Sequence, residues 1–371
     1  MLNTAVAGIE LGSCVFNASG PRTSSIEMLE KIARSGSALV LSKSATLLEQ
    51  AGNPMPRFIK EVNLGPGCHG SMNSEGLPNK GINYYISDEA VSKIKATDKP
   101  YFISLSGLKL EDNLVMLERV CLVAGVDAIE LNLACPNIPG KPTISYDFEQ
   151  MEDVLNAVTG LDSFRNSNKK LGVKLAPYFD FSHLKRAAGI LNAYADYIDF
   201  VVCINTIGNA LFVDIDNEMS VIAPKGGYGG LGGGFVKHTA LANVRKLYEL
   251  LNPNIDIIGV GGIATGEDAF KMILCGAKAV QVGTKHWTEG PTCFERIANE
   301  LKTIMIEKGY SSIEEFRGKL KPYARKGRKP TNVIIDKSNN CYGWVKKAFS
   351  PLFLYAVAIT VYLFHMKVVN E

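Results

Sequence analysis

The sequence is short of several things that would mark a function at once. Its eight cysteines never fall closer than 14 positions apart, so there is no CxxC pair, zinc knuckle or iron–sulfur spacing. Five histidines (His69, His183, His238, His286, His365) form no HExxH or other paired spacing, and no metal site is assigned. No Walker loop, no GxGxxG at a first strand–helix turn and no GxSxG elbow is present, which argues against a Rossmann dinucleotide crevice and a serine hydrolase. There is no repeat at a period of about 20 to 50 residues. The opening MLNTAVAGIELGS has no basic stretch followed by an apolar one, so no secretory signal is expected, and the scattered thiols fit a reducing, cytoplasmic setting. With 46% apolar and 21% charged residues, the composition excludes a disordered chain, a fibre and a polytopic membrane protein.

Charge is unevenly placed. The net +3 combines a tail from Lys319 onward carrying +8 with a preceding body of −5, so the body has no basic stripe suited to nucleic acid.

Along that body, short β-branched runs alternate with helix-length amphipathic stretches. Strands are expected at Cys14–Asn17, Ala38–Lys43, Tyr101–Leu105, Ala128–Leu133, Leu171–Leu175, Tyr197–Ile204, Ile255–Val260 and Ala279–Val282. Intervening helices are expected at Ile26–Arg34, Leu114–Ala124, Asp147–Val158, His183–Asn192, Thr239–Leu251 and Gly266–Leu274. This alternation reads as an α/β fold, a (β/α)8 TIM barrel, with a doubly wound open sheet as the alternative. Two stretches break the rhythm: Gly65–Asn83, rich in Gly, Pro, Asn and Ser, and Asn205–Gly234, which holds a strand-like Met219–Ala223 followed by GGYGGLGGG. Both are expected as binding loops inserted at the C-terminal face of the barrel. Three regions result: a catalytic domain over 1–318, a basic linker over 319–345 and an apolar segment over 346–367.

Four groups of residues could carry chemistry. Gly261 and Gly262 follow the seventh expected strand, and Gly283 with Thr284 follow the eighth, the common phosphate site of such barrels. Cys135 lies in a loop stiffened by Pro136 and Pro139, where a thiol could serve as general base if its pKa fell below the free value of about 8.5. Lys43 and Lys174 close apolar strands, so each is expected to face something anionic, such as a reduced flavin or its phosphate. Asn73, Asn132, Asn137 and Asn205 stand at loop starts, and their amides suit an imide or cyclic ureide with alternating N–H and C=O groups.

With those residues in view, a resemblance is clear. The runs Phe16–Gly20 (FNASG), Ser42–Ser44 (SKS), Gly52–Arg57 (GNPMPR), Asn73–Asn79 (NSEGLPN), Glu130–Gly140 (ELNLACPNIPG), Gly172–Leu175 (GVKL), Asn205–Asn209 (NTIGN), Gly229–Gly233 (GGLGG), Gly259–Ile263 (GVGGI) and Gln281–Thr284 (QVGT) resemble the dihydroorotate dehydrogenase family, in its soluble, fumarate-using class 1A. The likeness runs in order from about Leu2 to Leu320. It implies oxidation of (S)-dihydroorotate to orotate in pyrimidine biosynthesis through FMN, with fumarate as electron acceptor, in a homodimer. It implies further that Ala18, Ser19, Lys43, Ser44, Asn132, Lys174, Ile204, Gly233, Gly261, Gly262, Gly283 and Thr284 contact FMN. Lys43, Asn73, Ser74, Glu75, Gly76, Leu77, Asn132, Asn137, Asn205 and Thr206 would hold the substrate, with Cys135 as the catalytic base. The competing readings are a dihydropyrimidine dehydrogenase-like FMN enzyme and a membrane-tethered ligand-binding barrel without turnover.

Four departures from the family pattern stand out. Ala134 and Thr206 each replace a serine. Glu75 stands where the family usually has methionine, and because a carboxylate would repel an anionic substrate, its side chain is expected to point outward. The stretch Gly65–Gly70 looks inserted. The likeness does not reach the tail. Phe349–Phe364 is interrupted only by Ser350, Pro351 and Thr360, is extended by Ala348 and Met366, and is flanked by Lys346, Lys347 and Lys367. A helix of about 17 to 19 residues is roughly 27 Å long, marginal for a hydrocarbon core of about 30 Å. Under the positive-inside rule the segment is expected to be a membrane anchor with the barrel in the cytoplasm.

Overall fold

The structure, a computed structural model, describes residues 1–63, 69–134 and 143–323. The chain divides into two units, Met1–Lys321 and Pro322–Glu371. All of the second unit except Pro322 and Tyr323 lies outside the described residues, and with it the apolar segment and nearly all of the linker. Among the described residues, no helix is long and apolar enough to cross a membrane.

The first unit is built on eight parallel strands: β1 (Val15–Asn17), β2 (Val40–Leu41), β3 (Tyr101–Leu105), β4 (Ala128–Asn132), β5 (Lys170–Leu175), β6 (Phe200–Cys203), β7 (Asp256–Val260) and β8 (Ala279–Val282). They run around the barrel in the order β1-β8-β7-β6-β5-β4-β3-β2. Every residue of β3, β4, β6 and β8 is buried, as expected for strands covered by helices on one side and packed against a filled interior on the other. The rings of Phe102 and Phe200, from strands that are not neighbours, meet inside with centroids 5.8 Å apart. One step further along the same strand faces, the interior turns polar at Ser104, Glu130 and Lys174. That change of character from ring to ion pair comes toward the C-terminal ends of the strands.

The covering helices are α1 (Ile26–Ala33), α2 (Asp88–Lys95), α3 (Leu110–Cys121), α4 (Phe148–Gly160), α5 (Phe181–Ala193), α6 (Lys237–Leu250), α7 (Gly266–Cys275) and α8 (Thr292–Glu307). Their starts follow side-chain chemistry: the Ser25 and Ser87 hydroxyls accept from Met28 N and Ala90 N, and Thr265 with Asp268 forms a capping box. Helices α2 and α8 are absent from the expected set. In α2 only Ala90 and Ile94 are fully buried, with Val91 partly so, among charges, too narrow a stripe to read without its neighbours.

Sheet bonding leaves a gap between β1 and β2, and a side chain bridges it. Asn17 Nδ2 donates to Leu41 O at 2.7 Å, while Leu41 N donates to Asn17 Oδ1 at 3.0 Å. One amide thus supplies the donor and acceptor a neighbouring strand would have offered, and Ala38 N adds a bond to Val15 O at 2.9 Å. At the opposite end of the barrel, the hairpin Thr4–Val6/Ile9–Leu11 is tied down by Ala7 N donating to Asp256 Oδ2 at 2.8 Å.

The two stretches that break the strand–helix rhythm are not separate loops. With the preceding Phe58–Asn63, they combine into one four-stranded antiparallel sheet in the order Ile207–Leu211, Tyr228–Gly233, His69–Asn73, Phe58–Asn63. The expected loop Gly65–Asn83 therefore contains a strand, and the glycine-rich run is itself a strand paired with it through Gly230↔Asn73 and Gly233↔Gly70. Of the inserted-looking stretch, residues 64–68 lie outside the described residues. Met219–Ala223 contributes only a short Met219–Ser220 strand, paired with Val213–Asp214 in a hairpin.

Asn17→Ala should lower unfolding free energy by about 2–5 kcal/mol, since it leaves the Leu41 N–H and C=O without partners in a fully buried seam. Denaturant unfolding measures this directly; a parental midpoint would show that the barrel closes without the amide.

Candidate active site at the barrel mouth

The site is assembled from strand ends. In β4, Glu130 and Asn132 share a face, and the parallel register sets Asn132 beside Lys174 of β5. Lys174 Nζ lies 3.7 Å from Glu130 Oε1, with side chains only 4% and 1% exposed. Glu130 also accepts from Ser104 Oγ at 3.3 Å and from Gln281 Nε2 at 2.7 Å. Removing such a carboxylate from water costs several kcal/mol unless charge and hydrogen bonds compensate, and here all three partners do so. The counter-charge expected for Lys174 from an anionic ligand is thus supplied by the protein itself.

A chain of hydroxyls continues toward the first strand. Ser104 Oγ is 2.9 Å from Ser44 Oγ, which is 3.0 Å from Ser19 Oγ, and Ser44 accepts from Asn132 Nδ2 at 3.2 Å. Ala18, whose N–H donates to Val282 O at 3.0 Å, adjoins this line. Asn132 Oδ1 accepts from Ala134 N at 3.1 Å, and Asn205 Nδ2 donates to Ala134 O at 3.3 Å. Two of the four asparagines therefore hold the residue that immediately precedes Cys135. Asn205 N in turn donates to Leu175 O and Ile204 N to Val260 O, which fixes both at the ends of β5 and β7. Cys135 and Asn137 lie outside the described residues.

The glycine loops converge on one another. Gly233 and Gly262 have φ of +70° and +74°. A Cβ on Gly233 would stand 2.9 Å from Gly70 Cα and 3.2 Å from Thr284 Cγ2, and one on Gly262 would stand 3.0 Å from Gly233 O. Both positions thus demand glycine twice over, for conformation and for space. Thr284 Oγ1 is 3.0 Å from Ser71 Oγ, and Asp268 Oδ2 accepts from Ala264 N and Thr265 N, steadying the loop that carries Gly261 and Gly262. Gly283 leads into the short helix Thr284–Glu289. The result is a narrow backbone cradle with amides and a hydroxyl, chemistry that suits a phosphate.

The opposite wall is the segment from Asn73 to Leu77. Asn53 clamps it: Asn53 N donates to Glu75 O at 2.8 Å and Asn53 Nδ2 donates to Ser74 O at 2.7 Å. Gly76 and Leu77 both have positive φ, of 70° and 54°. Thr206 lies across, within reach of Gly230. Here one expectation is overturned. Glu75 does not point outward: it is buried, and its Oε2 is 3.8 Å from Lys43 Nζ, with side chains 10% and 9% exposed. The repulsion argument considered only a ligand, whereas in the fold the Lys43 ammonium attracts the carboxylate inward. Lys43, like Lys174, has a protein carboxylate as partner.

Sequence reasoning gave no role to Glu130, Ser104 or Gln281. Glu130 could have been found from its spacing: a carboxylate two residues before Asn132 in an otherwise apolar strand must share its face and be buried with it. Ser104 and Gln281 carry no such signal. Among the described cysteines, burial pushes Cys14 and Cys293 up to about 12 and raises Cys203 as well. Burial likewise raises Cys121 and Cys275, so none of these five has an activated thiol. Among the described residues no group of His, Cys, Asp or Glu could hold a metal ion.

A family model described as dihydroorotate dehydrogenase matches residues 1–305. A probable dihydroorotate dehydrogenase A (fumarate) of Streptococcus pneumoniae is 47% identical over 318 residues, covering 86% of this chain and 97% of its own. The dihydroorotate dehydrogenase (fumarate) of Lachancea kluyveri is 47% identical over 306 residues (82% and 93%), and dihydroorotate dehydrogenase A (fumarate) of Lactococcus lactis 45% over 322 residues (86% and 99%). In fold, the chain is similar to a ligand-free DHODH crystal structure from Eimeria tenella, with a TM-score of 0.69 at 21% identity over 86% of this chain and 91% of that one.

Glu130→Ala should cost about 3–5 kcal/mol of stability by stranding the Lys174 ammonium, and replacing both residues by methionine should recover much of it. A double-mutant cycle by chemical unfolding tests this; additive losses would show that the two charges do not act as a pair.

Proposed function

This chain belongs to the dihydroorotate dehydrogenase family, and from that premise we propose that it oxidises (S)-dihydroorotate to orotate in pyrimidine biosynthesis, with FMN as resident cofactor and fumarate as electron acceptor. The observation that carries this reading is the adjacency, at one barrel mouth, of a glycine-lined backbone cradle and a buried row of amides, hydroxyls and lysines. The dihydropyrimidine dehydrogenase-like enzyme and the barrel without turnover are not favoured, since the family model and the relatives above are dihydroorotate dehydrogenases.

The residues present fit FMN. Gly233, Gly261, Gly262, Gly283 and Thr284 would hold its phosphate, because positive φ and crowding at Gly233, Gly261 and Gly262 leave room for backbone but not for a Cβ. Ala18, Ser19, Ser44 and Ile204 would border the ring, with Lys43, Asn132 and Lys174 at its polar edge. When bound, FMN would supply a two-electron acceptor for the hydride at C6 of dihydroorotate. Cys135 takes the proton from C5, so that the C5–C6 double bond of orotate forms as both hydrogens leave. Asn132 and Asn205 position this base by fixing Ala134. The amides of Asn73, Asn132, Asn137 and Asn205 pair with the ureide edge, and Thr206 with the segment Ser74–Leu77 closes the substrate side against water. Glu130 holds the Lys174 ammonium in place through its own three contacts.

We assign the chain a homodimeric state. Val213, Ile215 and Met219 of the hairpin, and Leu211 and Tyr228 of the neighbouring strands, are exposed apolar side chains of the kind found at protein contacts. The barrel is assigned to the cytoplasm, with Phe349–Phe364 as its membrane anchor, a reading that rests on the apolar run and its flanking lysines.

The purified chain should be yellow, and dihydroorotate should bleach it without oxygen. Cys135→Ala should keep the flavin and orotate binding but reduce the flavin about 10²–10⁴-fold more slowly; a parental rate would remove Cys135 from the role of base. For the tail, the full chain and a chain truncated after Val345 are compared by carbonate-washed fractionation of cells. The full chain alone should stay with membranes, and two equally soluble forms would rule out the anchor.

A further inference from the structure

We propose that Glu75 sets the strength with which this enzyme binds carboxylate ligands, by occupying Lys43 in the unliganded site as an internal competitor. The inference deepens the reading of the mouth as a dihydroorotate site and rests on it. Dihydroorotate and orotate each carry one formal charge at neutral pH, their carboxylate, and Lys43 is the buried cation on the substrate wall. In the structure that cation already has a carboxylate at 3.8 Å, and both side chains are about nine-tenths buried. A ligand carboxylate that reaches Lys43 must therefore displace the Glu75 carboxylate or share one ammonium with it. Two carboxylates on one ammonium leave a net negative charge where little water can screen it.

The backbone of residue 75 cannot relieve the conflict by moving away. Glu75 O is held by Asn53 N, Ser74 O by Asn53 Nδ2, and Ser74 N donates to Arg57 O at 2.8 Å. Gly76 beyond it is packed so that a Cβ would meet Asn53 at 2.6 Å. Of Glu75, only the side chain is left to respond, by rotating out of the pair. Every carboxylate ligand bears that cost, and a ring without a carboxylate does not reach Lys43 and escapes it. Glu75 is thus a built-in repulsive element, which weakens retention of the orotate product as well as binding of the substrate.

The test uses the FMN-loaded full chain, titrated with orotate and separately with uracil while the flavin absorbance is followed. Glu75→Gln and Glu75→Met should bind orotate about 10- to 100-fold more tightly than the parent, with uracil affinity unchanged. Glu75→Asp, which keeps the charge, should remain a weak orotate binder and serves if the neutral variants lose flavin. Equal or weaker orotate binding in the neutral variants, or an equal gain for uracil, overturns the inference while leaving the functional reading standing. Failure of dihydroorotate to bleach the flavin of the parent overturns both.

Discussion

The buried pairing of Glu130 with Lys174 is the constraint on which the site depends. Both charges lie inside the barrel, above a floor of Phe102 and Phe200, where neither could remain alone. Ser104 and Gln281 occupy the remaining acceptor positions of the carboxylate. Once the pair is satisfied, Lys174 and its register partner Asn132 are held side by side at the mouth. From Asn132 the hydrogen bonds run in two directions, through Ser44 to Ser19 just after the first strand and to Ala134, the residue before Cys135.

The polar interior has a counterpart at the seam. Between β1 and β2, the Asn17 amide stands in for the missing strand pairing, and the residues that follow it, Ala18 and Ser19, enter the mouth from a fixed position. Opposite them, the two insertions pair into one antiparallel sheet, whose Ser71 and Gly233 meet Thr284 after β8. The glycine cradle is therefore built by chain segments more than 200 positions apart, Ser71 and Thr284 among them. A strand can hold this many glycines because the neighbours that crowd it supply the order its own side chains lack.

A second ion pair, Lys43 with Glu75, lies on the substrate wall. Together the two pairs leave each buried lysine of the mouth matched to a protein carboxylate. The two buried lysines of the site are thus balanced by the protein's own carboxylates.

Much of this molecule was legible in its sequence. The eight strands and six of the covering helices follow from periodicity, because burial on one face imposes a repeat that single residues report. The glycine loops, Cys135 and the asparagines follow from residue types whose chemistry is local. Strand ends such as Ala38–Lys43 were overrun, since Val40–Leu41 is the only part of that run that keeps ladder pairing. What no local pattern carried was partnership: that Glu130 serves Lys174, that Glu75 turns inward to Lys43, that two loops make one sheet, and that Asn17 closes the barrel. Each of these joins residues distant in the chain or reverses a choice that looked unfavourable for the residue alone. The sequence by itself determined which groups are present and which faces are buried; the tertiary structure alone decided which charge answers which, because that depends on distances set only when the strands close into a ring.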